Sequence, residues 1–369
     1  MRRAVLILLR AGSAVSLAWA LLTLAATPPG ERLVERPAAE LSRMLERMVG
    51  ATMTPAWLDA EIAAALAVEP RDWGRIETLM AEAEARGIAL SPPVRADLDR
   101  AEAARGGLGE TLSDCLIARE IPAETAALAC RFGVELTVVG DLRSLTIAAG
   151  DRIAGREPDW TEIGLAAVGL AATGALVVTG GGSAAVKAGT AALKTARRAR
   201  LMPPALAAHV GEVARRAVRP EALRGARFSR EALAEAVDPA ALRPLVAMAG
   251  DYGRAARRLL PGETADWVGA AGLRASADAV RLIRHVESAE DAARVARVAE
   301  AMGPRTLRTL AVVGRQRAFR ATWRLARVAT DGAALALAAL AQLTVVGAAG
   351  LASLGSAAAR RGARRVLLR

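Results

Sequence analysis

Acid–base and nucleophilic chemistry needs a base, a group that orients it and a reacting atom, all brought together. The chain is poor in such residues. Its only histidines, His209 and His285, are far apart in sequence. The patterns H-E-x-x-H, G-x-S-x-G and C-x-x-C, which serve zinc hydrolases, serine hydrolases and dithiol redox enzymes, do not occur. The acidic pairs Glu82 with Glu84 and Asp97 with Asp99 stand two apart. On a helix such residues do not face each other, so solvation accounts for them. Lys187 and Lys194, the only lysines, do not complete the phosphate-loop pattern G-x-x-x-x-G-K-[ST]. No cofactor is expected, and no metal, because Cys115 and Cys130 have no further Cys or His nearby. An enzyme with an unrecognised site stays open as an alternative.

Cys115 and Cys130 are 15 positions apart with Ile121-Pro122 between them, a spacing that suits two short helices joined by a turn. They are disulfide candidates, and closing so short a loop contributes about 3 kcal/mol in the chain-entropy model. The alternative is two small buried thiols. Asp141 follows Val138-Val139-Gly140, and Asp151 follows Gly150. Both lie beside the long apolar stretch that follows and are expected to cap its helices; the other option is that they line a cavity.

The elements that would hold these residues are helical. The chain is rich in Ala and Arg, with one Tyr and three Phe, and β-branched runs are short. This predicts an all-α protein. Thr54-Pro55 starts a helix to about Val68. Pro70 starts another that Gly87 stops, and Ser91-Pro92-Pro93 starts a third that Gly106-Gly107 stops. Trp57, Ile62 and Leu66 fall on one face. Ser288 with Asp291 has the form of a capping box. There are 48 arginines beside the two lysines. A GC-rich genome explains that bias simply; phosphate recognition is the sharper alternative.

Three uncharged segments set the topology. Met1-Arg2-Arg3 leads into an apolar run to Ala26, the form of an export signal or a retained anchor. Ile163 to Val186 has 24 residues without a charge, about 36 Å as one helix and long enough to span a bilayer. Thr179-Gly180-Gly181-Gly182-Ser183 interrupts it, which favours a helical hairpin, re-entrant or buried, over a span. Gly164, Gly169, Gly174, Gly180, Gly181 and Gly182 are its candidate membrane-hairpin residues. Gly332 to Ala359 gives 28 more uncharged residues, with Ala348, Ala352 and Ser356 at a spacing that suits close helix packing in lipid. It is expected to be a transmembrane helix.

Charge divides the chain. Thr27 to Glu162 carries 15 basic and 24 acidic residues, net −9; Lys187 to Arg327 carries 27 and 13, net +14. The halves either occupy different compartments or attract each other. Basic residues near the start place the N-terminus in the cytoplasm. If 163–186 does not cross, residues 27–331 all lie outside; if it crosses, the basic half is cytoplasmic. The charge division favours the second arrangement; the glycine break and the basic tail favour the first, which is the one expected. Arg315, Arg317, Arg320, Arg324 and Arg327 alternate with apolar residues ahead of the last span, as expected of a helix on anionic lipid. Packing against the acidic half is the other reading. Nucleic acid is not an expected partner, since aromatics are too few for a stacking platform.

The expected division is therefore a signal or anchor (1–26), an acidic helical domain (27–135), a glycine-rich apolar hairpin (136–200), a basic helical domain (201–331), a transmembrane helix (332–359) and a basic tail (360–369). The stretch VVGDLRSLTIAAGDRIAGREPDWTEIGLAAVGLAATGAL resembles the pre-toxin segment of secreted bacterial polymorphic toxins, through Val138-Val139-Gly140-Asp141 and Gly155, and more loosely Gly164, Gly169 and Gly174. The likeness covers roughly residues 136–200 and implies export and membrane engagement; no toxin-like catalytic end follows. The expected protein is an all-α, membrane-anchored component of the bacterial inner membrane with its body in the periplasm. It would act as a structural or adaptor protein whose partners are the bilayer and another protein or itself. The alternative is a membrane-active effector whose glycine-rich hairpin inserts into lipid.

Overall fold

In the computed structural model the described residues are 28–105, 115, 118, 120–157, 159–179, 182–219, 237–260 and 270–323. The segments 1–26, 332–359 and 360–369 lie outside them, as do Gly180, Gly181, Arg324 and Arg327. The chain divides into two compact units, residues 38–321 and the two ends, 1–37 with 322–369. Residues 38–321 make up the helical body.

The described residues are all-α, with one isolated antiparallel bridge between Val218 and Val237. The acidic half supplies α1 (Pro28–Thr52), α2 (Pro55–Ala67), α3 (Trp73–Arg86), α4 (Pro92–Ala103) and α5 (Thr125–Glu135). The middle supplies α6 (Val138–Ile153), α7 (Trp160–Thr179) and α8 (Gly182–Arg198). The basic half supplies α9 (Pro204–Ala217), α10 (Pro239–Leu259), α11 (Ala270–Arg281), α12 (Ala289–Met302) and α13 (Thr306–Val313).

Local chemistry explains the ends. Thr54 accepts a hydrogen bond from the Trp57 amide at 3.2 Å, and proline opens α2 behind it. Asp72, not Pro70, caps α3. Gly87 ends that helix in the left-handed conformation (φ +66°), where a side chain would be strained. Ser288 accepts from the Asp291 amide at 3.2 Å, and Asp291 accepts from the Glu287 amide at 3.2 Å, completing a reciprocal cap.

The apolar middle folds back on itself. α7 and α8 pack on each other, and α8 lies between α7, α5 and α10. Ile163, Leu165, Ala166 and Val168 are all buried although they fall around the whole of α7. An all-round apolar helix needs lipid or a large core; here α6, α8 and α9 supply the core. Of the expected membrane glycines, Gly164 and Gly169 meet protein. A Cβ at Gly164 would lie 2.6 Å from the Ala214 Cβ of α9. Gly174 is within α7, and Gly182 opens α8. Among the described residues no helix is long and apolar enough to cross a membrane.

The closest approach is between α8 and α10. A Cβ on Gly189 would sit 1.9 Å from the Ala249 carbonyl oxygen, and one on Gly253 would sit 1.7 Å from that of Ala185. Only glycine at both positions lets the two backbones meet. This contact fixes α8 and, through it, the charged side chains that α8 carries to its other face.

Candidate functional site: a buried ion network and the cavity beside it

Both lysines of the chain point from α8 into one buried cluster. Lys194 Nζ lies 2.5 Å from Glu135 Oε2 and 3.0 Å from Asp141 Oδ1, and donates to the Gly140 carbonyl at 3.0 Å. Lys187, two turns earlier, donates to Asp141 Oδ2. Glu135 ends α5 and also faces Arg131 Nε at 3.1 Å and Arg198 Nε at 3.7 Å. Arg198 donates to Glu162 on α7 and to Ser144 Oγ at 3.2 Å. Ser144 Oγ itself lies 2.9 Å from the Gly140 carbonyl oxygen and 2.8 Å from Glu162 Oε1. Arg131, Glu135 and Lys194 have side chains with no solvent exposure.

Burying an ion costs several kcal/mol unless geometry and hydrogen bonds offset it. Four cations here (Arg131, Lys187, Lys194, Arg198) face three carboxylates (Glu135, Asp141, Glu162). Burial alone would raise the Glu135 carboxyl; Lys194, Arg198 and Arg131 together hold it below its ordinary range. Burial and the neighbouring Arg198 bring Arg131 down to about 10 despite Glu135. Arg131 Nη1 also donates to the Cys115 carbonyl at 3.0 Å. Cys115 and Cys130 form a disulfide with Cα atoms 6.1 Å apart. The bridge thus pins the backbone to which the network is anchored.

The glycines of the middle segment make room for this cluster. A Cβ at Gly140 would meet Glu135 Oε2 at 2.6 Å, and one at Gly169 would meet Asp141 Oδ1 at 2.5 Å. Gly140, Asp141 and Gly169 are therefore one device: two glycines flank a carboxylate held between two ammonium groups. A compact ammonium with three rotatable donors suits Lys194, whose neighbours converge from three directions; a planar guanidinium does not. That explains lysine here in a chain that otherwise uses arginine.

Asp141 accordingly serves as the lysines' shared acceptor from the first turn of α6, and does not cap the hairpin helices. Asp151 accepts from Arg156 at 2.7 and 2.9 Å and closes the turn after α6, where Gly155 takes φ +71°. Beside the network is a cavity of about 220 Å³, lined by Ser144, Glu162, Arg197 and Arg198, with Asp151 and Asp159 among the others. Arg197 pairs with Asp159 at 2.9 Å, and Arg200 pairs with Glu120 at 2.6 Å. The cavity's lining sets four carboxylates (Glu120, Asp151, Asp159, Glu162) against three guanidinium groups (Arg197, Arg198, Arg200), and neither histidine lines it.

A second set of ion pairs joins the acidic half to the basic half. Arg305 pairs with Glu46 and, at 3.0 Å, with Glu82, which Arg86 holds at 2.7 Å. Arg284 pairs with Asp72 at 2.7 Å, and Arg281 pairs with Glu77 at 2.9 Å. Burial would raise Glu77; Arg281, Thr125 and Arg105 hold it down. A Cβ at Gly74 would lie 2.8 Å from Arg281 Nε, so this glycine admits the guanidinium. The two halves attract each other directly.

The remaining expected residues are dispersed. His209 is exposed on α9, while burial, followed by Arg284, depresses His285 to about 4. Arg315 pairs with Glu287 at 2.8 Å and approaches Asp291 at 3.5 Å. Arg317 and Arg320 are exposed. Among the described residues no group of three or more His, Cys, Asp or Glu could hold a metal ion. Sequence reading missed Arg131, Glu135, Glu162 and Arg198. The available signal was the scarcity of lysine, with both copies seven residues apart on one helix face. The fold and site define a disulfide-linked, all-α body organised around a buried ion network. No family model, curated protein or solved structure matches the chain.

Proposed function

We propose that the protein is a membrane-tethered structural or adaptor component of the bacterial envelope, with residues 27–331 on the outer face of the inner membrane. The observation that carries this reading is the pairing of Glu46, Glu77, Glu82 and Asp72 with Arg305, Arg281 and Arg284. Partners in contact must share a compartment, so the middle segment is a fold-back and not a crossing. The disulfide, which persists where thiols are oxidised, supports the periplasm as that compartment. The tethers are the apolar stretches at 1–26 and 332–359, the forms of a signal or anchor and of a span. The body offers binding surfaces and a rigid core; its buried charges act on one another.

The test is the redox state of Cys115 and Cys130 in growing cells. Acid quenching and alkylation with a mass-adding maleimide should find no free thiol. In cells lacking the envelope thiol oxidase both should be modified. Two free thiols in normally grown cells would overturn the periplasmic placement.

A further inference from the structure

A second cavity, of about 830 Å³, lies between the acidic and basic halves of the body. Its size falls in the range of sites for small organic ligands, roughly 300–1,000 Å³. Two kinds of surface meet in it. Met80, Ala81, Ile88 and Leu90, from α3 and the segment after it, form an incompletely buried apolar wall. Opposite stand Arg274 and Arg281 of α11 with Arg308 of α13.

These arginines are not all satisfied by the protein. Arg281 is committed to Glu77, Thr125 and the Ala123 carbonyl, yet its Nε is a buried donor without a hydrogen-bond acceptor among the described residues. Arg308 Nε is likewise buried and without an acceptor, and the only hydrogen bond of that side chain among the described residues is a long one to the Ala81 carbonyl, 3.4 Å. Arg274 and Arg308 enter no ion pair among the described residues. Arg95 adds a fourth cation to the lining, against Glu77, Glu84 and Asp278. Burial raises Asp278 to about 6 despite Arg281 and Arg308, so it opposes an incoming anion less as pH falls below that value, while near neutral pH it counts as a carboxylate. Both Nε atoms are closed to solvent, so an incoming anion would be met by Arg274 and the outer guanidinium nitrogens of Arg308, donors that an ionised acceptor suits best.

We infer that this cavity is a binding site for an amphipathic monocarboxylate. Its carboxylate would pair with Arg308 and Arg274, and its hydrocarbon chain would lie on Met80, Ile88 and Leu90. The single excess positive charge of the lining suits a monoanion, and the three acidic residues disfavour a phosphate dianion. The apolar wall distinguishes the ligand from a simple ion, and the guanidinium groups distinguish it from a neutral lipid. The site is independent of which side of a membrane the body occupies, so it stands or falls separately from the proposed adaptor role.

The test uses the purified full chain and decanoate below its micelle concentration, with binding measured calorimetrically. Decanol and acetate probe the tail and the head alone. Decanoate should bind at one site per chain, and both decanol and acetate at least about tenfold more weakly. Arg308→Gln and, separately, the more exposed Arg274→Gln should each weaken decanoate about tenfold or more; a hydrogen bond to a charged group is worth that much. Leu90→Asp should abolish binding. Arg254→Gln, on α10 and outside the cavity, should leave it unchanged, and thermal melting of each variant establishes that it is folded. The inference is overturned if decanoate does not bind, if decanol binds as tightly, or if folded Arg308→Gln and Arg274→Gln bind like the parent.

Discussion

Replacing Lys194 with methionine keeps the length of the side chain and removes one buried charge. In the parent, that ammonium meets Glu135, Asp141 and the Gly140 carbonyl, with no exposure to water. Its loss leaves Glu135 with Arg131 and Arg198, and Asp141 with Lys187 alone. Breaking a buried pair from one side costs about 3–5 kcal/mol. For a body of this size that lowers the thermal midpoint by roughly 6–20 °C. Lys194→Arg should also destabilise, by about 1–3 kcal/mol, because the larger planar group overfills the site. Pairing Lys194→Met with Glu135→Leu removes that pair but strands the buried Arg131, whose one ion pair among the described residues is with Glu135, so it should recover little of the loss. The pH dependence has a definite sign. Glu135 has a depressed pKa in the folded parent, so its contribution is present above its unfolded pKa and is lost as pH falls through the folded value. Without Lys194 the Glu135 pKa rises, and protonation relieves the strain. The penalty of Lys194→Met should therefore shrink between pH 7 and pH 4. Urea unfolding followed by circular dichroism measures all of this. A penalty below about 1 kcal/mol, or one that grows in acid, would refute the network as a charge-compensated core.

The other predictions concern packing, titration and the disulfide. Gly189→Ala forces α8 from α10 and should cost about 2–3 kcal/mol, whereas a Cβ at Gly133 on α5 meets nothing within 4 Å; thermal melting should show Gly133→Ala more stable by about 0.5–1 kcal/mol. Asp278 is raised to about 6, so its burial destabilises the fold progressively as pH rises from 3.8 through 6. Asp278→Asn should then stabilise the protein above pH 6 by up to about 3 kcal/mol, seen as a higher urea midpoint at pH 8 than the parent's. His285 is depressed to about 4, so the stability from keeping it neutral is present above 6.5 and is lost as pH falls towards 4. His285→Gln should flatten that acid limb in the same urea series. Reducing Cys115–Cys130 should cost about 3 kcal/mol, read as a lower thermal midpoint in reductant that Cys115→Ser does not lower further.

Much of the framework was legible because it is local. Thr54, Ser288 and the prolines at helix starts act within one turn, so their sequence neighbours suffice. The opposite charges of the two halves were compatible with attraction or with separate compartments, and did not indicate that Arg305 would choose Glu46 and Glu82. The ion network was not legible, for a physical reason. Its members come from α5, α6, α7 and α8, and a charged residue on an isolated helix is most simply assigned to a wet face. Asp141 looked like a cap because it stands near a helix start; only the fold shows that α8 sends two ammonium groups to it. The middle segment suggested lipid because it runs 24 residues without a charge. An uncharged run serves a tight protein core equally well, and Gly189 and Gly253 are needed where two backbones touch. The start of α3 shows a smaller displacement of the same kind: Pro70 suggested it, but the helix begins behind the Asp72 carboxylate.

The central claim, that acidic and basic halves form one body on the outer face of the membrane, is tested by labelling the full chain in spheroplasts with a membrane-impermeant maleimide. Single cysteines replace Arg156, whose side chain is 58% exposed, and Arg216, 70% exposed. Cys115 and Cys130, joined in the disulfide, provide the silent background. Both introduced cysteines should label without lysis. Labelling of Arg156→Cys alone would place a membrane between the halves and contradict the account; labelling of neither until lysis would contradict the outward placement.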